Sequence, residues 1–194
     1  MERLDGYLER LASQEPTPGG GSAAALVGAV AAALVAMVGR IAKNASDDIV
    51  ADADELRPKL LDARARDEEA YAAVVAAQAL PKITQDERAK RTTLLEEALA
   101  GAACAPLETA ALALDVLRLV DRLLKISTGA LQSDVASAAE FAFAALTACG
   151  YNVRVNHRYM RDEMTIRRQA LELVRYEGEG AQILNRARQA AAKD

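Results

Sequence analysis

Aromatic side chains are scarce in this sequence: they make up 4% of its 194 residues, and tryptophan is absent. A core must then be assembled mostly from Ala, Leu and Val, a composition that favours closely packed helices over sheet. Two-residue alternation of apolar and polar side chains is also missing, which argues against strands. Histidine occurs once, at His157, and the two cysteines, Cys104 and Cys149, stand apart from it and from each other. No common metal-ligand spacing results, so no metal is expected, and His157 reads as a surface or interface residue. Both cysteines lie in apolar helical stretches, where a thiol behaves as a small hydrophobe; unpaired, they suit the reducing cytoplasm. Basic charge is not in excess either. With 24 Lys and Arg against 28 Asp and Glu the net charge is −4, which gives no clustered cationic footprint for nucleic acid. The first residues carry Glu2, Arg3 and Asp5 in place of the apolar stretch of a secretory leader.

What is present is apolar residue at 52% of the chain, enough for one domain that buries roughly 70% of its unfolded surface. Tandem repeats, low-complexity linkers and sheet signals are not seen, and the fold class read from the sequence is an all-α, single-domain helical bundle spanning 1–194. Leu4, Tyr7, Leu8 and Leu11 share one face of a short first helix, ended by Pro16 and Pro18. From Pro16 to Gly39 no residue is charged. That length matches a membrane span, but Ala and Gly gain little from lipid, so the segment reads as a buried central helix. Gly21, Ala25, Gly28 and Ala32 give it a smooth face for close backbone approach.

Residues 44 to 48 are rich in capping side chains, and an amphipathic helix follows to about Leu80, kinked or divided at Pro58. Thr84 and Glu87 form a capping-box pair that predicts a helix to about Ala103. Pro106 fits the first turn of another helix, reaching about Ile126. After a break at Ser127-Thr128-Gly129, Ser133 and Asp134 are placed to cap a helix through Ala148. Gly150 is a possible interruption; if the helix continues, Asn152 and Asn156 share a face. The remainder reads as one or two polar helices broken near Gly178 and Gly180.

Several residues carry potential chemistry. The turn Pro18-Gly19-Gly20-Gly21-Ser22 feeds directly into a helix, whose unpaired N–H groups and dipole favour an anion. It is neither G-x-G-x-x-G nor a phosphate loop, and it reads equally as a tight-packing turn, with Ser22 as an N-cap. Asp67 and Tyr71 stand four apart and can share a cleft for proton transfer. The charges around Asp67, at Arg64, Arg66, Glu68 and Glu69, equally describe a solvated face. Lys82 lies in a loop between helices, either a binding residue or an ordinary surface lysine. Asn152 and Asn156 can read a ring edge of alternating donors and acceptors, or can bond between helices. Ser22 and Ser133 are not set in a nucleophile elbow.

These motifs occur together and in order. Pro16-Thr17-Pro18-Gly19-Gly20-Gly21-Ser22-Ala23 and Asp67-x-x-Ala70-Tyr71 are followed by Leu80-Pro81-Lys82-x-Thr84-x-x-Glu87-x-x-x-Arg91. Pro106, Gly129, Ser133-Asp134-Val135 and Asn152-Val153-x-Val155-Asn156 complete the series. From about Leu4 to Asn156 the chain resembles the cyclodeaminase/cyclohydrolase family, which includes the cyclodeaminase domain of formiminotransferase-cyclodeaminase and stand-alone methenyltetrahydrofolate cyclohydrolases. One departure is Ala130, where the family pattern usually has Asn after the glycine.

The resemblance implies an all-helical fold, a homodimer and a tetrahydrofolate substrate, with no metal or nucleotide cofactor; the composition adds the expectations of a cytoplasmic location and of no nucleic-acid or membrane partner. It also implies the chemistry. In a cyclohydrolase water attacks the cationic methenyl carbon and the ring opens to 10-formyltetrahydrofolate. In a cyclodeaminase N10 attacks the formimino carbon and ammonia leaves. Both need proton transfer beside a positive amidine-like centre. On this reading Asp67 is the carboxylate at that centre, with Tyr71 or Lys82 as its proton-relaying partner. Gly19, Gly20, Gly21, Ser22, Ser133 and Asp134 shape the pocket, while Asn152 and Asn156 read the pterin. Arg40, Lys43 or Arg91 meet the glutamate-tail carboxylates. The sequence has no formiminotransferase domain to supply a formimino group, which favours the cyclohydrolase over the cyclodeaminase; a non-catalytic folate- or partner-binding bundle is the remaining alternative.

Overall fold

The uncharged Ala/Gly-rich segment forms the helix around which the others pack. The computed structural model describes residues 3–42, 47–127 and 129–192. Among them lie α1 (Leu4–Leu11), α2 (Gly20–Ile41), α3 (Asp47–Gln78), α4 (Gln85–Leu123), α5 (Leu131–His157) and α6 (Glu163–Ala191), with no strand. Lys43 and Thr128, and residues 44–46 of the expected capping segment, lie outside the described residues. Helix α2 packs on α3, α4 and α5, and α6 closes the bundle against α4 and α5. Ala25, Ala32, Val35 and Val38 of α2 are fully buried, and Gly28 faces the side chains of Leu60 and Ala145. By length and composition α2 is the one described helix apolar enough to cross a membrane, yet 61% of its most apolar window is buried inside the protein.

Three expected breaks are not breaks. Pro58 lies inside one continuous α3, and Pro106 inside the 39-residue α4. A proline removes one helical hydrogen bond and crowds the preceding turn, at a cost of about 3 kcal/mol. Burial on both sides of each, by Leu56 and Leu60 and by Ala103 and Leu107, offsets that cost through packing. Helix α6 likewise runs through Gly178 and Gly180. A Cβ on Gly180 would come within 3.1 to 3.3 Å of Leu117, Leu146 and Phe143, so this glycine serves close helix contact. Gly150 plays the same part in α5, against Glu177 and Leu173 of α6.

Local signals held at other positions. The Thr84–Glu87 capping box is formed in full at the start of α4. Before α5 the chain turns at Gly129, whose φ of +59° favours glycine. The cap there differs from expectation: α5 begins at Leu131 after Ala130, and the Ser133 hydroxyl donates back to the Ala130 carbonyl. In α1 Tyr7 turns inward and is fully buried, whereas Leu4 and Leu8 are exposed.

Candidate active site

The N-terminus of α2, the C-terminal part of α3 and the C-terminal part of α5 meet at one end of the bundle, and α4 closes the far wall. Between them is a cavity of about 550 Å³. Gly19, Gly20, Asp67, Tyr71, Asn152 and Asn156 line it, so six of the residues singled out in the sequence converge. Apolar wall is supplied by Val74, Leu95, Leu99 and Val155, with Thr17, Gln78 and Tyr159 at polar points. Among the described residues that line it, only Asp67 carries a charged side chain.

Asp67 is half-buried, not part of a solvated face. Its carboxylate packs directly on Gly21: a Cβ there would lie 2.1 Å from Oδ1. The Ser22 backbone N–H donates to the same carboxylate. With Gly19 as N-cap, that N–H is one of the donors the first turn of a helix cannot satisfy internally. The anion that the glycine turn holds is therefore the protein's own Asp67. Burial nevertheless raises the Asp67 pKa above its ordinary value, against the Ser22 hydrogen bond, and the neighbouring Glu68 charge adds to the rise. Cys149, buried beside this group, has its thiol pushed up to about 12 by burial and then by the Asp67 charge, so it is inert as a nucleophile.

Ser22 is not an N-cap. It is fully buried inside α2, with its Oγ 3.1 Å from the Tyr7 hydroxyl and donating to Glu68 Oε1 at 3.2 Å. Arg10 Nη2 donates to Glu68 Oε2 at 2.8 Å, and the Arg64 guanidinium lies 3.9 Å over the Tyr7 ring. This network ties α1 to α2 and α3 immediately behind Asp67. Sequence reasoning missed Tyr7, Arg10 and Glu68 as site supports, because an apolar-face tyrosine and a mixed charge run carry no local mark of such a role.

The two asparagines share a face because α5 continues through Gly150. Asn152 Nδ2 donates to the Ala148 carbonyl at 2.9 Å and lies 3.5 Å from where a Gly20 Cβ would be. Asn156 Nδ2 donates across to the Ala102 carbonyl of α4 at 2.8 Å.

Other expected residues stand elsewhere. Lys82 is exposed in the α3–α4 connection and does not line the cavity. Ser133 and Asp134 lie in the first turn of α5, 19 and 18 residues before Asn152 and hence about 27–28 Å away along the helix axis. Arg40 pairs with Asp54 at the far end of α2. Arg91 donates twice to the Gln78 carbonyl, capping the end of α3. His157 is half-buried and bonds Gln169 of α6 at 2.8 Å, so it joins two helices. Among the described residues no group of three His, Cys, Asp or Glu side chains is arranged to hold a metal.

An all-helical bundle with a single carboxylate in an amide-bearing cavity thus defines the architecture, and comparison with known proteins gives its family. The formiminotransferase-cyclodeaminase family model matches residues 3–174, and the chain belongs to that family. It is 36% identical over 170 residues to the methenyltetrahydrofolate cyclohydrolase of Methylorubrum extorquens, covering 83% of this chain and 82% of that protein. To the formimidoyltransferase-cyclodeaminase of Rattus norvegicus it is 31% identical over 173 residues, covering 83% of this chain but only 31% of the rat protein. The crystal structure of formiminotetrahydrofolate cyclodeaminase from Thermotoga maritima superposes with a TM-score of 0.86 at 27% identity, covering 97% of this chain and 95% of that one.

Proposed function

We propose that the protein is a folate one-carbon enzyme, a 5,10-methenyltetrahydrofolate cyclohydrolase. The observation that carries this reading is the lone Asp67 carboxylate in an otherwise uncharged cavity. A delocalised cation on a flat heterocycle complements such a site, and the likeness to the Methylorubrum cyclohydrolase over most of both chains supports it. In the reaction Asp67 takes a proton from water as its oxygen bonds to the methenyl carbon. The C–N5 bond then breaks, N5 gains a proton, the new hydroxyl loses one, and 10-formyltetrahydrofolate forms with net release of one proton. Tyr71, one turn beyond Asp67 on the same wall, is the relay in place of the outlying Lys82. Asn152 and Asn156 meet the pterin edge. Hydration of an already electrophilic carbon needs a base and no further cofactor.

The Thermotoga likeness favours a second reading, the cyclodeaminase, because it spans nearly the whole of both chains. Purified protein given each folate separately distinguishes the two. Loss of the methenyl chromophore is the expected result; ammonia release from 5-formiminotetrahydrofolate with no methenyl turnover would replace the first reading by the second.

A homodimer in the cytoplasm completes the proposal. Two free cysteines suit a reducing compartment. Val30 and Met37 on α2, and Phe141, Tyr151 and Val155 on α5, are exposed apolar residues on two helices that pack together. A second copy presenting the same apolar residues matches them. Sedimentation equilibrium should give a dimer that Val30→Glu shifts toward monomer; a monomeric parent protein rejects this part.

A further inference from the structure

Pro106 stands inside α4, where proline is the least favourable of all residues. Its nitrogen has no hydrogen, so the Ala102 carbonyl, four residues earlier, receives no helical bond from it. That carbonyl is not orphaned. Asn156 Nδ2 reaches it from α5 at 2.8 Å, and the same nitrogen donates to the Asn152 carbonyl at 3.0 Å. Both partners are acceptors, which settles the orientation of the amide: its nitrogen faces the two backbones. With both hydrogens committed, Oδ1 is the one group of Asn156 left for a ligand. Ala102 and Asn156 line the cavity side by side.

We propose that Pro106 is a positioning residue: by freeing the Ala102 carbonyl it anchors Asn156 with its acceptor available to the ligand, so the site takes a ring edge that presents an N–H donor at that point. Any other residue at 106 carries an N–H that competes for the Ala102 carbonyl. Asn156 then shares that carbonyl with a backbone donor, so its anchor on α4 weakens and it can turn its donors to the ligand, which mismatches a donor edge and leaves a polar pair unmade. The inference rests on the folate reading only for the identity of the ligand; the coupling between Pro106 and Asn156 belongs to the protein alone.

Four proteins test it: the parent, Pro106→Ala, Asn156→Ala and the double variant. Without any folate present, hydrogen exchange of the Asn156 side-chain amide, read by NMR, should quicken by about tenfold or more in Pro106→Ala, the loss of roughly one net hydrogen bond. Its thermal midpoint should not fall, since alanine favours the helix that proline opposes. With methenyltetrahydrofolate as substrate, KM should rise about tenfold while kcat changes little. In the Asn156→Ala background, Pro106→Ala should add no further rise in KM. Unchanged exchange in Pro106→Ala overturns the proposal, and so does an equal rise in KM whether or not Asn156 is present. If the parent protein turns over neither folate, the functional reading fails, and the exchange comparison still decides the coupling.

Discussion

The Asp67 carboxylate occupies the place where a side chain on Gly21 would be, with Oδ1 2.1 Å from the position of the missing Cβ. Helix α2 thus touches the acid through its bare backbone, and the next residue, Ser22, donates its N–H to it. Gly21→Ala should therefore fold, because alanine favours a helix over glycine by about 1 kcal/mol, yet force the carboxylate aside. A displacement on the scale of 1 Å is enough to lower turnover about 100-fold. Comparing kcat with the thermal midpoint checks this; retention of full activity would show that the contact does not set the position of the acid.

Asp67→Asn should retain folate binding and lose turnover by about 100-fold or more, the usual contribution of a positioned base. Its effect on stability has the opposite sign. Burial lifts the Asp67 pKa above its ordinary 3.8, so the folded state holds the proton more tightly than the unfolded one. Stability is then fully present below the ordinary value and declines as pH rises through the folded-state value. Asparagine removes that decline. The variant should be more stable than the parent near neutrality, with the difference vanishing in acid, as measured by denaturant titration at several pH values.

Gly180 lies in α6 where Leu117, Leu146 and Phe143 would each stand within 3.3 Å of a Cβ. Gly180→Val should lower stability by about 1–3 kcal/mol through overpacking, in spite of valine's better helix propensity. Chemical denaturation measures it directly. An unchanged midpoint would mean that α6 can shift without cost.

Periodicity and spacing were enough to read the central helix, the Thr84–Glu87 cap and the asparagine pair, because each depends on neighbours in sequence. Gly180 and Pro106 read as punctuation, and Pro58 as a kink or a division, for a physical reason: their local preference is to break a helix, and contacts from other helices keep α3, α4 and α6 each continuous. Asp67 and Tyr71 were legible as a pair. That Asp67 faces inward while Arg66 and Glu69 face water depends on where α2 lies, which no local pattern within α3 records. Ser133 and Asp134 share the family motif with Asn152, but shared membership in a motif does not bring residues together along one straight helix.

Glu68 offers the last test, since it adjoins Asp67 and adds to the rise of its pKa through charge. Around Glu68 stand the Ser22 hydroxyl from α2, Arg10 from α1, and Tyr7 with Arg64 stacked on it. Glu68→Gln keeps an oxygen able to accept from Ser22 and removes the negative charge. Ionisation of Asp67 then becomes easier, and the acidic limb of the kcat–pH profile should move to lower pH with its plateau largely kept. Tyr7→Phe is the companion control: it deletes the hydroxyl behind Ser22 without altering any carboxylate, so it should lower kcat without moving the limb in that direction. A profile that Glu68→Gln leaves in place would mean that the charge behind Asp67 does not tune it.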